Sequence, residues 1–114
     1  MHRILFLTFL LIAMVSLAVA SCGGNDFDAV GAACALNSDC PGGRCLTGGK
    51  YPNGTCSYSC DNHNDCPSHA ACIDRDGGVC LPVCEHHRDC RGGYECDDQR
   101  NRGTSGRSYV CIND

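Results

Sequence analysis

The chain has no tryptophan and three phenylalanines among its 114 residues, and its one long apolar run is confined to the first 20. From Cys22 to Asp114 the large aliphatic and Phe side chains number ten: Phe27, Val30, Leu36, Leu46, Ile73, Val79, Leu81, Val83, Val110 and Ile112. So few cannot build a core that offsets the ordering entropy of the chain. On that measure alone the segment is expected to be disordered. Basic charge is also short. With Arg3 of the leader left out, eight Lys and Arg face 13 acidic residues, a formal net of −5. Phosphate binding needs a basic face, so nucleic acid is excluded as a partner. There is no C-x2-C pair, no G-x-S-x-G and no H-E-x-x-H, which removes the usual signatures of a zinc ribbon, a serine hydrolase and a metalloprotease.

What is abundant is cysteine, at 13 of the 93 residues from Cys22 onward. That is well above the roughly 8–10% that marks a disulfide scaffold. The chain opens with Met1-His2-Arg3, and an apolar stretch from Ile4 to Val19 is interrupted only by Thr8 and Ser16. A basic start, an apolar stretch and small residues at its end make a secretory signal, and 16 residues fall short of the roughly 20 that a spanning helix needs. Export and cysteine density together imply an oxidising compartment, with covalent staples in place of a core.

The cysteines fall on a template. From Cys34 the gaps read C-x5-C-x4-C-x10-C, then x3, C-x5-C-x5-C-x7-C, then x3, C-x5-C-x5-C-x14-C. They define three four-cysteine modules, 34–56 (Cys34, Cys40, Cys45, Cys56), 60–80 (Cys60, Cys66, Cys72, Cys80) and 84–111 (Cys84, Cys90, Cys96, Cys111). An Asp precedes the second cysteine each time, in "NSDC", "HNDC" and "HRDC", and "GG" follows in "PGGRC" and "RGGYEC". Self-similarity at a fixed period implies serial small units. The fold class expected is small and disulfide-rich: three serial modules with short β-hairpins and loops and little regular secondary structure. If each module closes on itself, 27 pairings remain. First-to-third and second-to-fourth is favoured, since it interlocks two loops, giving 34–45, 40–56, 60–72, 66–80, 84–96 and 90–111. The C-x3-C links 56/60 and 80/84 are expected to stay unbonded to each other and to act as hinges.

Twelve cysteines suit six bridges, and Cys22 is left over. "VASC" resembles a bacterial lipobox, in which cleavage before the cysteine precedes acylation of its sulfur and its freed amine. The resemblance implies a lipoprotein signal peptide at 1–21 and lipid attachment at Cys22. Because Gly23 is not Asp, it also implies the outer membrane or cell surface. Three acyl chains suffice for stable anchoring. Ordinary cleavage after "AVA" would instead leave a secreted protein with an odd thiol. Residues 22–33, rich in Gly, Ala and acid, read as a lipid-anchored flexible tether.

Within the modules, Asp39, Asp65 and Asp89 each stand where a side-chain oxygen can accept a backbone N–H two residues on. "DRDGGVCLPVCE", Asp74 to Glu85, has acids at loop positions 1, 3 and 12 of an EF-hand but lacks the central ligand and glycine, so no metal is expected. "PNG", "DGG" and "GTSG" signal hairpin turns between third and fourth cysteines. Tyr51, Tyr58, Tyr94 and Tyr109 are expected to shield disulfides. His86-His87 reads as an exposed pair, and "NGT" at Asn53 is a glycosylation sequon that matters only in a eukaryote.

With twelve cysteines bridged there is no thiolate nucleophile, so neither catalytic residues nor cofactors are expected and the chain is not read as an enzyme. Residues 34–111 resemble the cysteine-rich lipoproteins of myxobacteria-like bacteria. More loosely, the "DC..GG..C" spacing is similar to the N-terminal cysteine-rich region of Dickkopf proteins and to EGF-like modules, without the C-x-C step of the latter. The resemblance implies surface display and contact with a protein or glycan. The expected function is an exported, lipid-anchored binding or structural module. The alternative is a secreted protease-inhibitor or toxin-like scaffold, with Lys50, Arg102 or Arg107 as bait.

Overall fold

Asn-Gly and Asp-Gly lower the cost of left-handed backbone, and two of the three hairpins turn on such pairs. The computed structural model describes residues 29–114; the signal peptide, Cys22 and tether residues 23–28 lie outside the described residues. Strand β1 (Arg44–Leu46) pairs antiparallel with β2 (Thr55–Ser57), β3 (Ala70–Ile73) with β4 (Val79–Pro82), and β5 (Glu95–Arg100) with β6 (Arg107–Ile112). Asn53 and Asp76 take positive φ, as do Gly54, Gly77 and Gly78, as primed and left-handed turns require. The third hairpin turns through Gly103 and Gly106, both at positive φ.

All six bridges close within a module: Cys34–Cys45, Cys40–Cys56, Cys60–Cys72, Cys66–Cys80, Cys84–Cys96 and Cys90–Cys111. This is the pairing the spacing favours. In every hairpin the third and fourth cysteines stand opposite each other, Cys45↔Cys56, Cys72↔Cys80 and Cys96↔Cys111. Neither bonds its neighbour; each reaches back to the segment holding the first two cysteines. That segment carries a single 3-10 turn, at Asn37–Asp39, His63–Asp65 and His87–Asp89. The result is a small disulfide-rich fold of short hairpins in which the described residues contain no α-helix, and no helix among them is long and apolar enough to cross a membrane.

Covalent closure is modular, but the packing is shared. Leu46 and Tyr51 of the first module, Ala71, Ile73, Val79 and Leu81 of the second, and Val110 and Ile112 of the third form one buried cluster. Each fully buried aliphatic side chain contributes roughly 1.5–3 kcal/mol. The scarce aliphatic residues are concentrated at one place, which is why so few suffice beside the staples. Backbone bonds cross the same seams, with Asp74 N–H on the Arg100 carbonyl at 2.9 Å, Arg102 N–H on the Cys72 carbonyl at 3.0 Å and Asn113 N–H on the Lys50 carbonyl at 2.9 Å.

Three expectations change. The links 56/60 and 80/84 are not hinges. Ser57 Oγ donates to the Cys80 carbonyl at 2.8 Å, Cys80 N–H bonds the Tyr58 carbonyl and Cys60 N–H bonds the Gly78 carbonyl, so the first link is zipped along β4. The second is held by Val83 N–H on the His69 carbonyl, Cys84 N–H on the Tyr109 carbonyl and a Val83↔Val110 bridge. Residues 29–33 of the tether are also docked. Val30 is buried against Cys60, Cys66, Cys72 and Cys80, and Cys56 exchanges backbone bonds with Gly31 and Ala32. Finally, Tyr58 packs on a cystine cluster, whereas Tyr51 lies in the aliphatic cluster; Tyr94 stacks under Arg91 and borders a hollow with Cys90 and Cys111, and Tyr109 is exposed beside Cys84 and Cys96.

Candidate functional site

The recurring Asp before each second cysteine ties the 3-10 turn to the chain upstream of it, not downstream. Asp39 Oδ2 accepts from the N–H groups of Ala35 and Leu36 at 2.9 and 3.0 Å. Asp89 Oδ2 accepts from those of Glu85 and His86 at 3.1 and 3.0 Å, and Asp65 Oδ2 from that of Asp61 at 2.9 Å. A turn role holds, with the bonds running to residues three and four positions earlier. Those backbone donors hold the Asp39 and Asp89 carboxyls below the ordinary carboxylate range, because a charge that accepts N–H bonds is favoured.

A further position does similar work and was not singled out in the sequence. Three residues after each first cysteine stands Asn37, His63 or His87, and each accepts the backbone N–H of the third cysteine. The bonds run from Cys45 to Asn37 Oδ1, from Cys72 to His63 Nδ1 and from Cys96 to His87 Nδ1, all at 2.9 Å. The signal was available as a side-chain acceptor recurring at fixed spacing. One ring of the His86-His87 pair is thus committed to its own module.

The other sequence candidates are distributed among module contacts. Asp74 accepts from Arg102 at 3.2 Å, and Asp76 Oδ2 accepts from the Tyr51 hydroxyl at 2.6 Å. Strand β4 separates both acids from Glu85, so the EF-hand-like positions do not converge. Burial, and then the Asp76 carboxylate, push the Tyr51 hydroxyl up from its ordinary value. Three sulfurs of each module lie within 4.8 Å of one another: Cys34/Cys40/Cys45, Cys60/Cys66/Cys72 and Cys84/Cys90/Cys111. They cluster because two bridges stack, and zinc requires thiolates that disulfide sulfurs do not supply. Asn53 of the sequon lies on the turn with its carbonyl accepting from Cys34 N–H.

Each bait cation is engaged. The Lys50 ammonium lies 3.9 Å from the Asp114 carboxylate, and its carbonyl accepts from Asn113 N–H. Arg102 pairs with Asp61 and Asp74 at 3.6 and 3.2 Å, and Arg107 pairs with Asp98 at 2.7 Å. Arg91 does the same across the first seam: Nε donates to the Gly31 carbonyl, Nη2 donates to the Gly54 carbonyl, and the guanidinium lies 4.8 Å from the Tyr94 ring centre. Burial raises the Tyr94 hydroxyl pKa, so that hydroxyl stays neutral under the cation.

Three large apolar side chains are left exposed among the described residues: Leu36 in the first module, and Val83 and Tyr109 beside the third. Tyr109 and Val83, 62% and 48% exposed, line a hollow of about 480 Å³ with Cys84, Glu85, Asp89 and Ser108. On its other side Tyr109 borders a second hollow with Glu85, His86, His87 and Arg88. Six disulfides indicate an oxidising environment for the folded chain. Comparison with protein-family models, curated proteins and solved structures finds no match for this chain.

Proposed function

We propose that the chain is exported as a lipoprotein, cleaved before Cys22 and acylated there, and that it displays its three modules at a bacterial outer membrane or cell surface as a non-catalytic binding module. The observation that carries the reading is cysteine parity. The twelve cysteines from Cys34 to Cys111 are consumed by six bridges, which leaves Cys22 of "VASC" without a partner among them. Because Val30 is already docked, six residues, 23 to 28, separate the lipid site from Ala29, and the span from Cys22 to Ala29 reaches at most about 25 Å. The modules would then sit close to the bilayer, facing protein or glycan partners near it.

Support for binding rather than catalysis comes from the use of the charged groups. The acids before each second cysteine, Arg91 and Arg102 are spent on turns and seams, and Asp114 pairs with Lys50 and Arg75 at 3.9 and 3.2 Å, whereas Leu36, Val83 and Tyr109 are displayed. The inhibitor alternative has less support, because Lys50, Arg102 and Arg107 are each already paired with an acid of this chain. The test is Cys22→Ala expressed in a Gram-negative host, followed by membrane fractionation and intact-mass analysis. The variant should move to the soluble fraction, and the parent should carry a diacylglycerol and an N-acyl mass. A parent without acyl mass and cleaved after Ala20 would overturn the reading.

A further inference from the structure

The place where the tether joins the body bears on what the exposed Val83 and Tyr109 meet. Val30 is the first buried residue of the described chain. His69 Nε2 lies 3.3 Å from the Val30 carbonyl oxygen, and the His69 carbonyl accepts from Val83 N–H at 2.9 Å. One residue thus links the start of the docked chain to Val83. Gly31 packs so closely on Pro82 that a Cβ there would collide with its ring. The hollow lined by Val30, Gly31, Pro82 and Asp89 shares Asp89 with the hollow lined by Val83 and Tyr109. The tether therefore joins the body beside the face that displays Val83 and Tyr109, 48% and 62% exposed.

We infer that this face rests on the phospholipid headgroup layer of the membrane in which Cys22 is anchored. The span from Cys22 to Ala29 reaches at most about 25 Å, so the face beside the joining point is the one a short tether holds against the bilayer. Tethering also raises the effective concentration of the surface, so that a weak contact suffices. Tyrosine suits that place, because its apolar ring and polar tip match the headgroup level. Arg88 and Glu85 border the hollow on the other side of Tyr109, and neither has an ion-pair partner among the described residues. A zwitterionic headgroup offers its phosphate to the guanidinium and its ammonium to the carboxylate. Asp89 is already satisfied by the N–H groups of Glu85 and His86. The inference rests on the reading of Cys22 as the lipid site and names the surface that the third module meets.

The test couples the mature chain, with its six bridges formed, through the Cys22 thiol to a maleimide phospholipid in nanodiscs of phosphatidylethanolamine and phosphatidylglycerol. Amide broadening by a gadolinium-chelate lipid is read by NMR. Chemical coupling does not depend on acylation in the cell, so failure of the anchor and failure of this inference are distinguishable. The amides of Val83, Arg88 and Tyr109 should broaden several-fold more than those of Asp76 and Gly77, which lie in the turn at the opposite end of β4 from Pro82. Val83→Ser combined with Tyr109→Ser should remove that difference while the chemical shifts of the remaining chain stay in place. Leu36→Ser, in the first module, should leave it intact. Equal broadening at Tyr109 and Gly77, strongest broadening at Leu36, or a pattern unchanged in the double variant overturns the inference. So does sedimentation of the uncoupled chain showing a dimer that buries Tyr109, which would make the occupant a second copy of this chain.

Discussion

The second and third modules share cysteine pairing, a 3-10 turn and a hairpin, and they differ in what surrounds them. The second is enclosed. Its Ile73, Val79 and Leu81 are at most 1% exposed, and its hairpin meets residues of both neighbours in one cluster. The third has the longest strands, six residues each, lends Arg91 and Arg102 to the other two modules, and leaves Tyr109 in solvent. Burial in a chain with so few aliphatic residues is thus concentrated in the middle, and the last module is free to carry surface chemistry. Disulfides set the shape of each unit; the shared cluster makes the three into one body.

Reduction is the largest perturbation of that comparison. Each bridge contributes roughly 2–4 kcal/mol, mainly by constraining the unfolded chain, and the shared cluster holds few side chains. Full reduction should abolish the near-ultraviolet circular dichroism of all three modules together. If a reduced chain retained a cooperative melt, the cluster would be the stronger term. Next comes Leu81→Ala in the oxidised protein, expected to cost about 2–5 kcal/mol through lost transfer and the cavity left behind. Hydrogen exchange should accelerate in the first and third modules as well as the second. Acceleration confined to the second would mean that the modules pack independently.

A subtler contrast concerns one position. Gly78 has φ +100°, and a Cβ there would meet the Cys60 carbonyl oxygen and Arg102. Gly78→Ala should therefore cost about 1–3 kcal/mol of stability. Tyr109→Gly, at the corresponding place in the third module, should cost less than about 1 kcal/mol, the ordinary penalty of glycine in a strand. Urea unfolding of the two variants measures the difference directly, and equal costs would mean that Tyr109 is a structural residue.

The pairing and the hairpins were legible in the sequence because both depend on local rules. Cysteine spacing limits closure, and Asn53-Gly54 and Asp76-Gly77 need left-handed backbone. The common cluster was not legible. Leu46, Ile73 and Val110 lie far apart in the chain, and short runs such as "GGVCLPV" carry no period that names their partners. Docking of Val30 was hidden for the same reason, since one valine in a Gly- and Ala-rich stretch has the composition of a linker. The exposure of Tyr109 was not legible either, because it depends on where the long side chains reach: Arg102 lies against Gly78 and Arg91 bonds the Gly54 carbonyl. By contrast, the Asn37, His63 and His87 acceptors were within reach of a spacing argument. His63→Ala should cost about 1 kcal/mol by leaving the Cys72 N–H unpaired. His63→Asn, which copies the first module, should recover most of the loss in the same urea series.

Acid should produce the smallest effect, and it separates the first module from the third. Asp39 is held low by the N–H groups of Ala35 and Leu36. Asp89 is held low first by those of Glu85 and His86, and further by the charges of His86 and Arg88. A folded-state pKa below the unfolded value gives stability that is present above the unfolded value, about 3.9 for Asp, and is lost as pH falls through the folded value. Stability attributable to these turns should therefore be constant from neutral pH down to about 5 and decline only below about 4. Both carboxylates are exposed, so the loss is modest and belongs to the turns rather than to the cluster. Added salt screens the charge contribution of His86 and Arg88 but not the short backbone bonds. Carboxyl-carbon NMR titration should accordingly show the Asp89 midpoint rising with salt while that of Asp39 stays in place. Equal salt response at the two sites would mean that their backbone bonds, and not the cations beside Glu85, account for all of the shift in the third module. The electrostatic distinction between the first module and the third would then disappear.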